Sequence, residues 1–428
     1  MAAPLARAES LLRDAGVEHA LNNLARPLLT AAGLPANRTQ VYVVNDTSLN
    51  AYVVNSRAIF INAGLILRMQ SAAQLQSVIA HETAHIANGH FARRGLNAQA
   101  ARNATAVGIA LGVAAGAAAG NPGAGAGIAL GAQNSARRVF YGHTREEETA
   151  ADKSGLRFMA RAGVDPHALA EVLTIFEGQE DMLPGRKDPY AQSHPMSRDR
   201  LRAVALTADA LTPADSDRED AEYWFARAKM KLSAYLRSPS YTLTRIKAKD
   251  QSDAALIGRA LAYFKTPDLG AARAQMDALL ARHPDDAYLQ ELSGWIELES
   301  GQVAPAIAAY ARAAELAPKE PLILAGYGRA LLAENNRDAD ARALEILEKA
   351  RDRDRYDSRL LRDLSVAYAR AGKDGLASLA TAERYALQGQ MNDAALHAQR
   401  AAGRLPTGSP AWARAQDVIR ATEQNQRR

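Results

Sequence analysis

Two histidines stand four residues apart in the run His81-Glu82-Thr83-Ala84-His85, and their spacing indicates a metal site. On an α-helix, residues four apart share one face, so both imidazoles can reach the same ion. Glu82 follows the first histidine and stands beside that face, where its carboxylate can take a proton from metal-bound water. A His-Glu-x-x-His run on a helix is typical of zinc hydrolases. We therefore predict one Zn²⁺ per chain, with His81 and His85 as ligands and Glu82 as the catalytic residue.

A hydrolytic zinc ion usually has three protein ligands and one water, so a further ligand is needed. The chain contains no cysteine, which excludes disulfides and thiolate ligands and leaves histidine and carboxylate side chains. Glu148 and Asp152 again lie four residues apart, on one face of a long predicted helix. We predict Glu148 as the third ligand. Asp152 is expected to accept a hydrogen bond from the far nitrogen of a ligand histidine, above all His81.

The elements around these motifs predict a small α+β unit. Runs rich in β-branched and aromatic residues, separated by turn residues, predict strands over 40–44, 51–54 and 58–61. Apolar residues at helical spacing, with Ser71 as the N-cap, predict the helix that carries the histidines. An amphipathic helix is expected over 6–32, with a break near Pro27. The strand over 58–61 is the one that we expect to pair with an extended substrate.

Residues 103–136 carry no charge and consist mostly of alanine and glycine. Their glycines recur at every fourth position on each side of Asn121-Pro122-Gly123, a spacing that lets two helices pack closely. We predict a helical hairpin that turns at this point. Each arm is too short and too weakly hydrophobic to span a bilayer alone. A soluble hairpin or lid is therefore favoured, and an element that lies on a membrane surface is the alternative.

The second half of the chain has a helical pattern with a regular period. Pro284 and Pro318 lie 34 residues apart, and so do Gly294 and Gly328. This period is typical of tetratricopeptide repeats, whose stacked helix pairs form a concave binding surface, and an unspecific helical bundle is the alternative. We predict a mainly α protein: a zincin-type α+β metallopeptidase domain with a small sheet (1–206), a linker (207–220) and an α-solenoid of repeats (221–428).

Together, these motifs resemble the HtpX/BepA-like zinc metallopeptidases, metallopeptidase family forty-eight of the gluzincin type. The matching elements stand in that family's order: Ile61-Asn62-Ala63-Gly64-Leu65, His81-Glu82-x-x-His85, Arg145-x-x-Glu148-x-x-Ala151-Asp152, and His194-Pro195 with Arg200. They cover about residues 40–205. With repeats behind them, the closest match is the periplasmic BepA-type branch, which manages outer-membrane protein assembly. The Ala/Gly-rich hairpin stands where membrane-embedded relatives carry transmembrane helices.

His194 has two functional interpretations. Its imidazole either donates a hydrogen bond to the tetrahedral oxyanion or occupies the fourth zinc position and holds the enzyme off. The structural alternative is a turn histidine before Pro195. The resemblance implies the second function, an autoinhibitory switch on a loop that must move before substrate enters. Arg200 is expected to anchor that loop or to pair with a nearby acid, and His90 to lie at the helix end behind the ligands.

These observations predict a zinc metalloendopeptidase that hydrolyses misfolded or misassembled outer-membrane proteins. The repeats are expected to bind a client or partner protein. The alternative is a repeat scaffold or chaperone for envelope protein assembly, with largely latent protease activity. A net charge of +5, from 52 basic and 47 acidic residues, gives no argument for nucleic acid and leaves contact with a membrane surface open.

The expected compartment follows from the N-terminus and the resemblance together. The first residues, Met1 to Arg7, lack the apolar core of a signal peptide. The chain is therefore either cytoplasmic or a mature form with an added start methionine. Because the resemblance is to a periplasmic branch, we predict a periplasmic protein of the bacterial cell envelope, with its signal peptide removed.

Overall fold

The computed structural model describes residues 11–90, 145–179, 188–195 and 197–426. The chain divides into two compact units, Ala20–Lys229 and the combination of Met1–His19 with Met230–Arg428. The hairpin predicted over 103–136 lies outside the described residues. Within the described ranges, no helix is both long enough and apolar enough to cross a membrane.

The elements of the first half alternate short strands with helices. In chain order they are β1 (Leu11–Leu12), α1 (Ala15–Ala31), β2 (Gln40–Val44), β3 (Ala51–Asn55), β4 (Ala58–Asn62), α2 (Ala63–Arg68), α3 (Ala72–Ala87), α4 (145–161), α5 (His167–Thr174), α6 (Pro189–Ser193) and α7 (Arg198–Asp209). The three predicted strands and the predicted helix after Ser71 are confirmed. The Ser71 hydroxyl accepts a hydrogen bond from the Gln74 backbone N–H at 3.2 Å, which caps α3.

Three strands of the first unit lie side by side in the order β2-β4-β3. Strand β4 pairs in parallel with β2 and antiparallel with β3, so its backbone has a partner strand on each side. The prediction that the strand over 58–61 pairs with substrate is therefore wrong, because its hydrogen-bonding groups are already used. Strand β3 follows β2 in the chain but lies beyond β4, at one edge of the sheet.

Helix α1 passes through Pro27 without a break, so the predicted interruption is also wrong. A proline inside a helix removes one backbone N–H and disturbs the preceding turn, a local cost of about 3 kcal/mol. Buried residues on both sides of it, Leu24, Ala25, Leu28 and Leu29, hold the helix in the core. The burial of this apolar face offsets the lost hydrogen bond. The helix begins at Ala15, later than the sequence indicates.

Two glycines let the elements of this unit approach closely. A β-carbon at Gly64, in the first turn of α2, would lie 2.0 Å from the Thr47 carbonyl oxygen, so only glycine fits there. A β-carbon at Gly155, on α4, would lie 3.4 Å from the backbone of Ala80 and His81 on α3. Helices α3 and α4 therefore cross almost backbone to backbone beside the first predicted zinc ligand.

The second half of the chain is built from helices alone in its described part. They are α8 (Arg218–Leu236), α9 (Pro239–Arg245), α10 (Asp253–Lys265), α11 (Leu269–Arg282), α12 (Ala287–Glu299), α13 (Val303–Leu316), α14 (Pro321–Glu334), α15 (Arg337–Arg353), α16 (Ser358–Arg370), α17 (Asp374–Leu387), α18 (Met391–Ala402) and α19 (Pro410–Gln426). From α10 onward, each helix packs against the next as a pair, beginning with α10 and α11. The predicted fold class, mainly α with a small sheet in the metallopeptidase part, is confirmed.

Two glycines in the second half of the chain face an aromatic ring. Tyr310 on α13 is buried, and its ring fills the space that β-carbons on Gly294 and Gly326 would need, at 2.8 and 2.3 Å. The linker predicted over 207–220 is shortened at both ends, because α7 continues to Asp209 and α8 begins at Arg218. The domain boundaries at 206 and 220 stay predictions, as does the assignment of the helix pairs to the tetratricopeptide class.

Candidate metal centre

Four buried side chains of the first unit converge on one point. His81 and His85 come from α3, Glu148 comes from α4, and His194 follows α6 directly. Each offers one ligand atom, and these atoms all lie within 4.8 Å of one another. None of the four residues exposes more than 2% of its surface. A group of histidines and a carboxylate buried this deeply is the kind of set that binds a metal ion.

The spacing of the ligand atoms fits zinc. His81 Nε2 lies 3.0 Å from His85 Nε2 and 3.3 Å from His194 Nδ1. The Glu148 carboxylate oxygens lie 3.2 Å from each of the two α3 nitrogens and 3.0–3.1 Å from His194 Nδ1. Zinc bonds of about 2.0–2.1 Å in a tetrahedron place neighbouring ligand atoms roughly 3.3 Å apart. These donors have the nature and the separations of a four-ligand zinc site.

The far nitrogen of each α3 histidine has its own partner. His81 Nδ1 lies 3.0 Å from Asp152 Oδ1, which directs Nε2 toward the ligand cluster, as the sequence predicts for Asp152. His85 Nδ1 lies 2.9 Å from Nδ1 of His90, which is also buried. His90 thus stands behind the ligands, where the sequence analysis expects it. Both rings are held in orientations that present Nε2 to the ion.

The two α3 histidines differ in their affinity for protons. Burial alone would lower the pKa of His81, but hydrogen bonds to Asp152 and Glu148 raise it to about 9. Burial lowers the pKa of His85 to about 3, because its contact with Glu148 does not compensate for lost hydration. His85 is therefore neutral at physiological pH, as a metal ligand must be. His81 has to release a proton when a metal ion binds.

Arg200 neutralises the carboxylates of the site. Its guanidinium donates to both oxygens of Asp152, at 2.6 and 2.9 Å, and to Glu148 Oε2 at 3.0 Å. It also donates to the Pro195 carbonyl oxygen at 3.2 Å. Burial opposes ionisation of Asp152, but Arg200 and His81 lower its pKa below the usual range. Arg200 therefore contacts both groups that the sequence leaves open, the acids of the site and the backbone after His194, and its role as a loop anchor stays a prediction.

His194 contacts the metal-binding set with one nitrogen and the edge strand with the other. Its Nδ1 faces His81 and Glu148, whereas its Nε2 donates to the Ala51 carbonyl oxygen at 3.3 Å. The same Nε2 lies 3.4 Å from Glu82 Oε1. The backbone of helix α6 positions the His194 ring. The N–H of His194 donates to the Tyr190 carbonyl oxygen, which closes this one-turn helix.

Glu82 is buried beside the cluster. It follows His81 on α3 and is fully inaccessible, and its carboxylate lies next to the His194 ring. A carboxylate at this place can accept a proton from a water molecule beside the cluster. The sequence-predicted residues His81, Glu82, His85, Glu148, Asp152, His194 and Arg200 are thus brought together within one site. Their catalytic and ligand roles stay predictions.

Sequence reasoning misses two groups at this site. Tyr190 is buried, its ring centroid lies 4.5 Å from that of His194, and its hydroxyl has no hydrogen-bond partner in the described structure. Its position four residues before His194, on the same helical turn, is a signal that could have drawn attention to it. The second group is the backbone carbonyl of Ala51, which no side-chain pattern can reveal.

Comparisons with known proteins find similarity to metallopeptidases, in agreement with a metal-binding site. A family model described as Peptidase family M48 matches residues 12–208. The "Beta-barrel assembly-enhancing protease" of Escherichia coli O157:H7 is 26% identical over 410 residues, which cover 94% of this chain and 82% of that protein. The "Putative beta-barrel assembly-enhancing protease" of Vibrio cholerae is 26% identical over 307 residues, which cover 67% of this chain and 60% of that protein. The "Mitochondrial metalloendopeptidase OMA1" of Schizosaccharomyces pombe is 25% identical over 188 residues, which cover 43% of this chain and 51% of that protein.

Proposed function

Because the chain carries a domain of peptidase family M48 and is a zinc metalloprotease, we propose that it cleaves misfolded or misassembled outer-membrane proteins in the bacterial envelope. The observation that carries this proposal is the likeness to β-barrel assembly-enhancing proteases along 94% of the chain. That likeness extends over the zinc site and the helical repeats alike. It supports a shared task in outer-membrane protein assembly and a periplasmic location.

The side chains of the site divide the chemistry among them. His81, His85 and Glu148 would hold the zinc ion, which supplies polarisation of the scissile carbonyl and lowers the pKa of water. Glu82 takes the proton of the attacking water and passes it to the leaving amine. Asp152 keeps the tautomer of His81 that presents Nε2. The burial of these groups strengthens each electrostatic interaction, because little water screens them.

An extended substrate is proposed to bind along β3. This strand lies at the edge of the sheet, and its residue Ala51 lies within hydrogen-bond distance of His194 at the metal cluster. Pairing through the main chain gives affinity with little sequence preference. An enzyme that degrades misassembled proteins needs recognition of this kind, because its substrates share exposed backbone and no common sequence.

The proposed resting state is closed by His194. Three contacts support this: Nδ1 completes the metal-binding set, while Nε2 faces both the Glu82 carboxylate and the Ala51 carbonyl. One side chain thereby fills the fourth ligand position and also contacts the catalytic base and the edge strand β3. The same contacts favour the alternative function, a repeat scaffold for envelope protein assembly whose proteolysis is largely latent.

Substitution Glu82→Gln separates the two functions. We expect proteolysis of an unfolded β-barrel protein to fall at least about 100-fold, with one zinc ion per chain retained, because only the proton acceptor is lost. Glu219→Gln, an exposed site on α8, is the matched control and should leave the rate unchanged. If outer-membrane protein assembly in cells is normal with Glu82→Gln, the scaffold function is favoured and the peptidase proposal fails.

Substitution His194→Ala tests the closed state. Removal of the imidazole should raise the initial rate of proteolysis several-fold while zinc stays bound by the other three ligands. His167→Ala, at an exposed histidine of the same unit, serves as the control. An unchanged rate would argue against autoinhibition. A strongly reduced rate would instead assign His194 to stabilisation of the oxyanion.

A further inference from the structure

The segment formed by residues 11–19 belongs to the repeat unit, although more than 200 residues separate it from the repeats in the sequence. Ala15 is buried in one apolar cluster with Ala287, Ala313 and Ile323 of helices α12, α13 and α14. The His19 ring stacks on Tyr288, with 3.9 Å between the ring centroids. This segment, which we call the N-terminal segment, therefore contacts several repeats at once.

Ion pairs with the helical part of the unit hold the N-terminal segment at Arg13 and Asp14. Arg13 donates to Asp354 at 2.6 Å and to Glu18 at 2.6 and 3.3 Å, and only 9% of its side chain is exposed. Asp14 lies 2.8 Å from the Lys231 ammonium. A charge buried to this degree is costly without a partner, so the repeats are complementary to an arginine followed by an aspartate.

The surface around the N-terminal segment consists of α8, α12, α14 and the short connection between α15 and α16. We call this surface the repeat groove and define it by Lys231, Glu291, Trp295, Arg329, Asp354 and Asp357. A partly open cavity of about 100 Å³ remains in it beside the segment, with Leu12, Glu291 and Trp295 among its walls. Aromatic, acidic and basic groups thus surround space that the segment does not fill.

We propose that the repeat groove is a peptide-binding site, and that the N-terminal segment occupies it as an internal ligand. The partner is a protein segment of the same chemistry: apolar residues, then arginine and aspartate, then two small residues and a carboxylate five positions after the arginine. The occupant in the structure displays each of these groups, as Leu11, Leu12, Arg13, Asp14, Ala15, Gly16 and Glu18.

Exchange of the segment requires the start of α1, which begins at Ala15, to unwind. Its buried apolar contribution comes from Ala15 and Val17, and its directional contacts with the repeat unit are the ion pairs of Arg13 and Asp14. A β-carbon on Gly16 would lie 3.7 Å from the Tyr288 β-carbon, so the backbone itself lies against α12. A peptide in trans can reproduce all of these interactions. It competes only with the high effective concentration of a ligand on the same chain.

This inference deepens the partner-binding part of the proposed function and is independent of peptide hydrolysis. The test therefore uses zinc-loaded protein with the substitution Glu82→Gln, which cannot consume the probe. The probe is a fluorescent synthetic peptide of residues 11–19, and its anisotropy reports binding. A peptide with Arg13→Ala is the matched control.

The first measurement weakens the internal ligand. In a chain with Arg13→Ala and Asp14→Ala, the probe should bind at least tenfold more tightly than to the chain with the natural segment, because competition is reduced. The control peptide should bind at least tenfold more weakly than the probe. Thermal unfolding of both chains checks that the double substitution leaves the repeats folded. Equal affinity for the two folded chains would overturn the proposal.

The second measurement keeps Arg13 and Asp14 in place. The chain contains no cysteine, so Gly16→Cys with Tyr288→Cys adds a unique pair, and the 3.7 Å between β-carbons suits a disulfide. When oxidised, this chain should not bind the probe, because its segment cannot leave. Reduction should restore the binding seen before oxidation, whereas Gly16→Cys alone should not respond. Equal binding by the oxidised and reduced forms would contradict exchange in the groove.

Discussion

At the scale of single residues, the two α3 histidines show how a neighbouring side chain sets the pKa of an imidazole. His81 and His85 lie one turn apart on the same helix and face the same carboxylate. Asp152 stands behind His81 and raises its pKa, whereas His90 stands behind His85 and supplies no negative charge. The site therefore holds one histidine that is already neutral and one that keeps a proton until a metal ion replaces it.

Zinc binding should release about one proton at pH 7.5. The pKa of His81 in the zinc-free protein is about 9, so its ring is protonated at this pH, whereas His85 is not. Since protons compete with zinc below pH 9, the affinity should fall roughly tenfold for each pH unit of acidification. Calorimetric titrations in buffers with different ionisation enthalpies measure both quantities. Zinc affinity that is flat between pH 6 and 8 would contradict this assignment.

The substitution Asp152→Asn provides the control for this effect. It removes the negative charge behind His81, so the number of protons released should decrease, and the affinity for zinc should fall about 10–100-fold. Asp165→Asn is the matched variant, because Asp165 also lies 2.9 Å from a histidine, His167, but at an exposed position. Zinc affinity should be unchanged in that variant.

Residue types and spacing predict much of this site, but only where a helix fixes the geometry. His81 with His85, and Glu148 with Asp152, were predictable because residues four apart share a helical face. The contact between His194 and Ala51 was not, since it depends on how a loop meets a strand 143 residues away. The ring of Tyr190 and the position of Arg200 depend on the same packing.

At the scale of elements, the close crossing of α3 and α4 aligns the two halves of the ligand set. Gly155 lies where the helices meet. A β-carbon added to it would lie 3.4 Å from the backbone of Ala80 and His81. This distance is ordinary van der Waals contact for a methyl group and too short for a larger side chain. Glu148 lies two turns earlier on the same helix, so its place depends on this crossing.

Enlarging residue 155 should therefore separate the ligands. Gly155→Leu should move α4 away from α3, lower the affinity for zinc at least tenfold and destabilise the unit by about 1–3 kcal/mol. Gly155→Ala adds one methyl group at contact distance and should bind zinc like the natural chain. Zinc titration and thermal unfolding compare the three chains. Equal affinity in the leucine variant would show that the crossing does not position Glu148.

The elements themselves were mostly predictable, whereas their order in the sheet was not. Strands over 40–44, 51–54 and 58–61 follow from local pattern, and the structure extends the second and third by one residue each. Which strand lies at the edge is decided by a parallel pairing between β2 and β4 that skips β3. Local sequence also overstates the effect of Pro27, because core burial outweighs one missing hydrogen bond.

At the scale of the whole molecule, the packing of residues 11–19 in the repeat unit was the feature least accessible to sequence reasoning. The pair formed by Arg13 and Asp354 joins residues 341 positions apart, and no periodicity links them. The repeats were predictable because Gly294, Gly328 and the two prolines recur at a fixed interval. Long-range ion pairs leave no such signal, since charged residues occur throughout the chain.

The repeat unit should become more stable as the pH falls from 8 to 5.5. Burial raises the pKa of Glu291 to about 7, from an ordinary value of 4.5, despite the nearby Lys231. The folded state therefore keeps a proton that the unfolded state has lost, and unfolding becomes easier as pH rises through this window. The contribution is on the order of 2 kcal/mol. Thermal unfolding of the zinc-loaded protein at several pH values measures it.

The control for this pH effect is Glu291→Gln, which has no charge to bury and should flatten the dependence. Glu299→Gln, an exposed position on the same helix, should retain it. Glu18 has a pKa raised to about 7, mainly by burial, although Arg13 opposes the shift, so part of the dependence should persist in Glu291→Gln. A melting temperature that rises with pH in the natural chain would refute the assignment.

The hydrogen bond from His194 to the Ala51 carbonyl has a consequence for enzyme kinetics. Under the proposed switch, an arriving peptide needs the same acceptor that the imidazole uses, so its first backbone pairing and the release of the histidine are one event. Short peptides that cannot form this pairing would be poor substrates and poor competitive inhibitors alike. Long extended chains would show a lag in their progress curves, which shortens as their concentration increases.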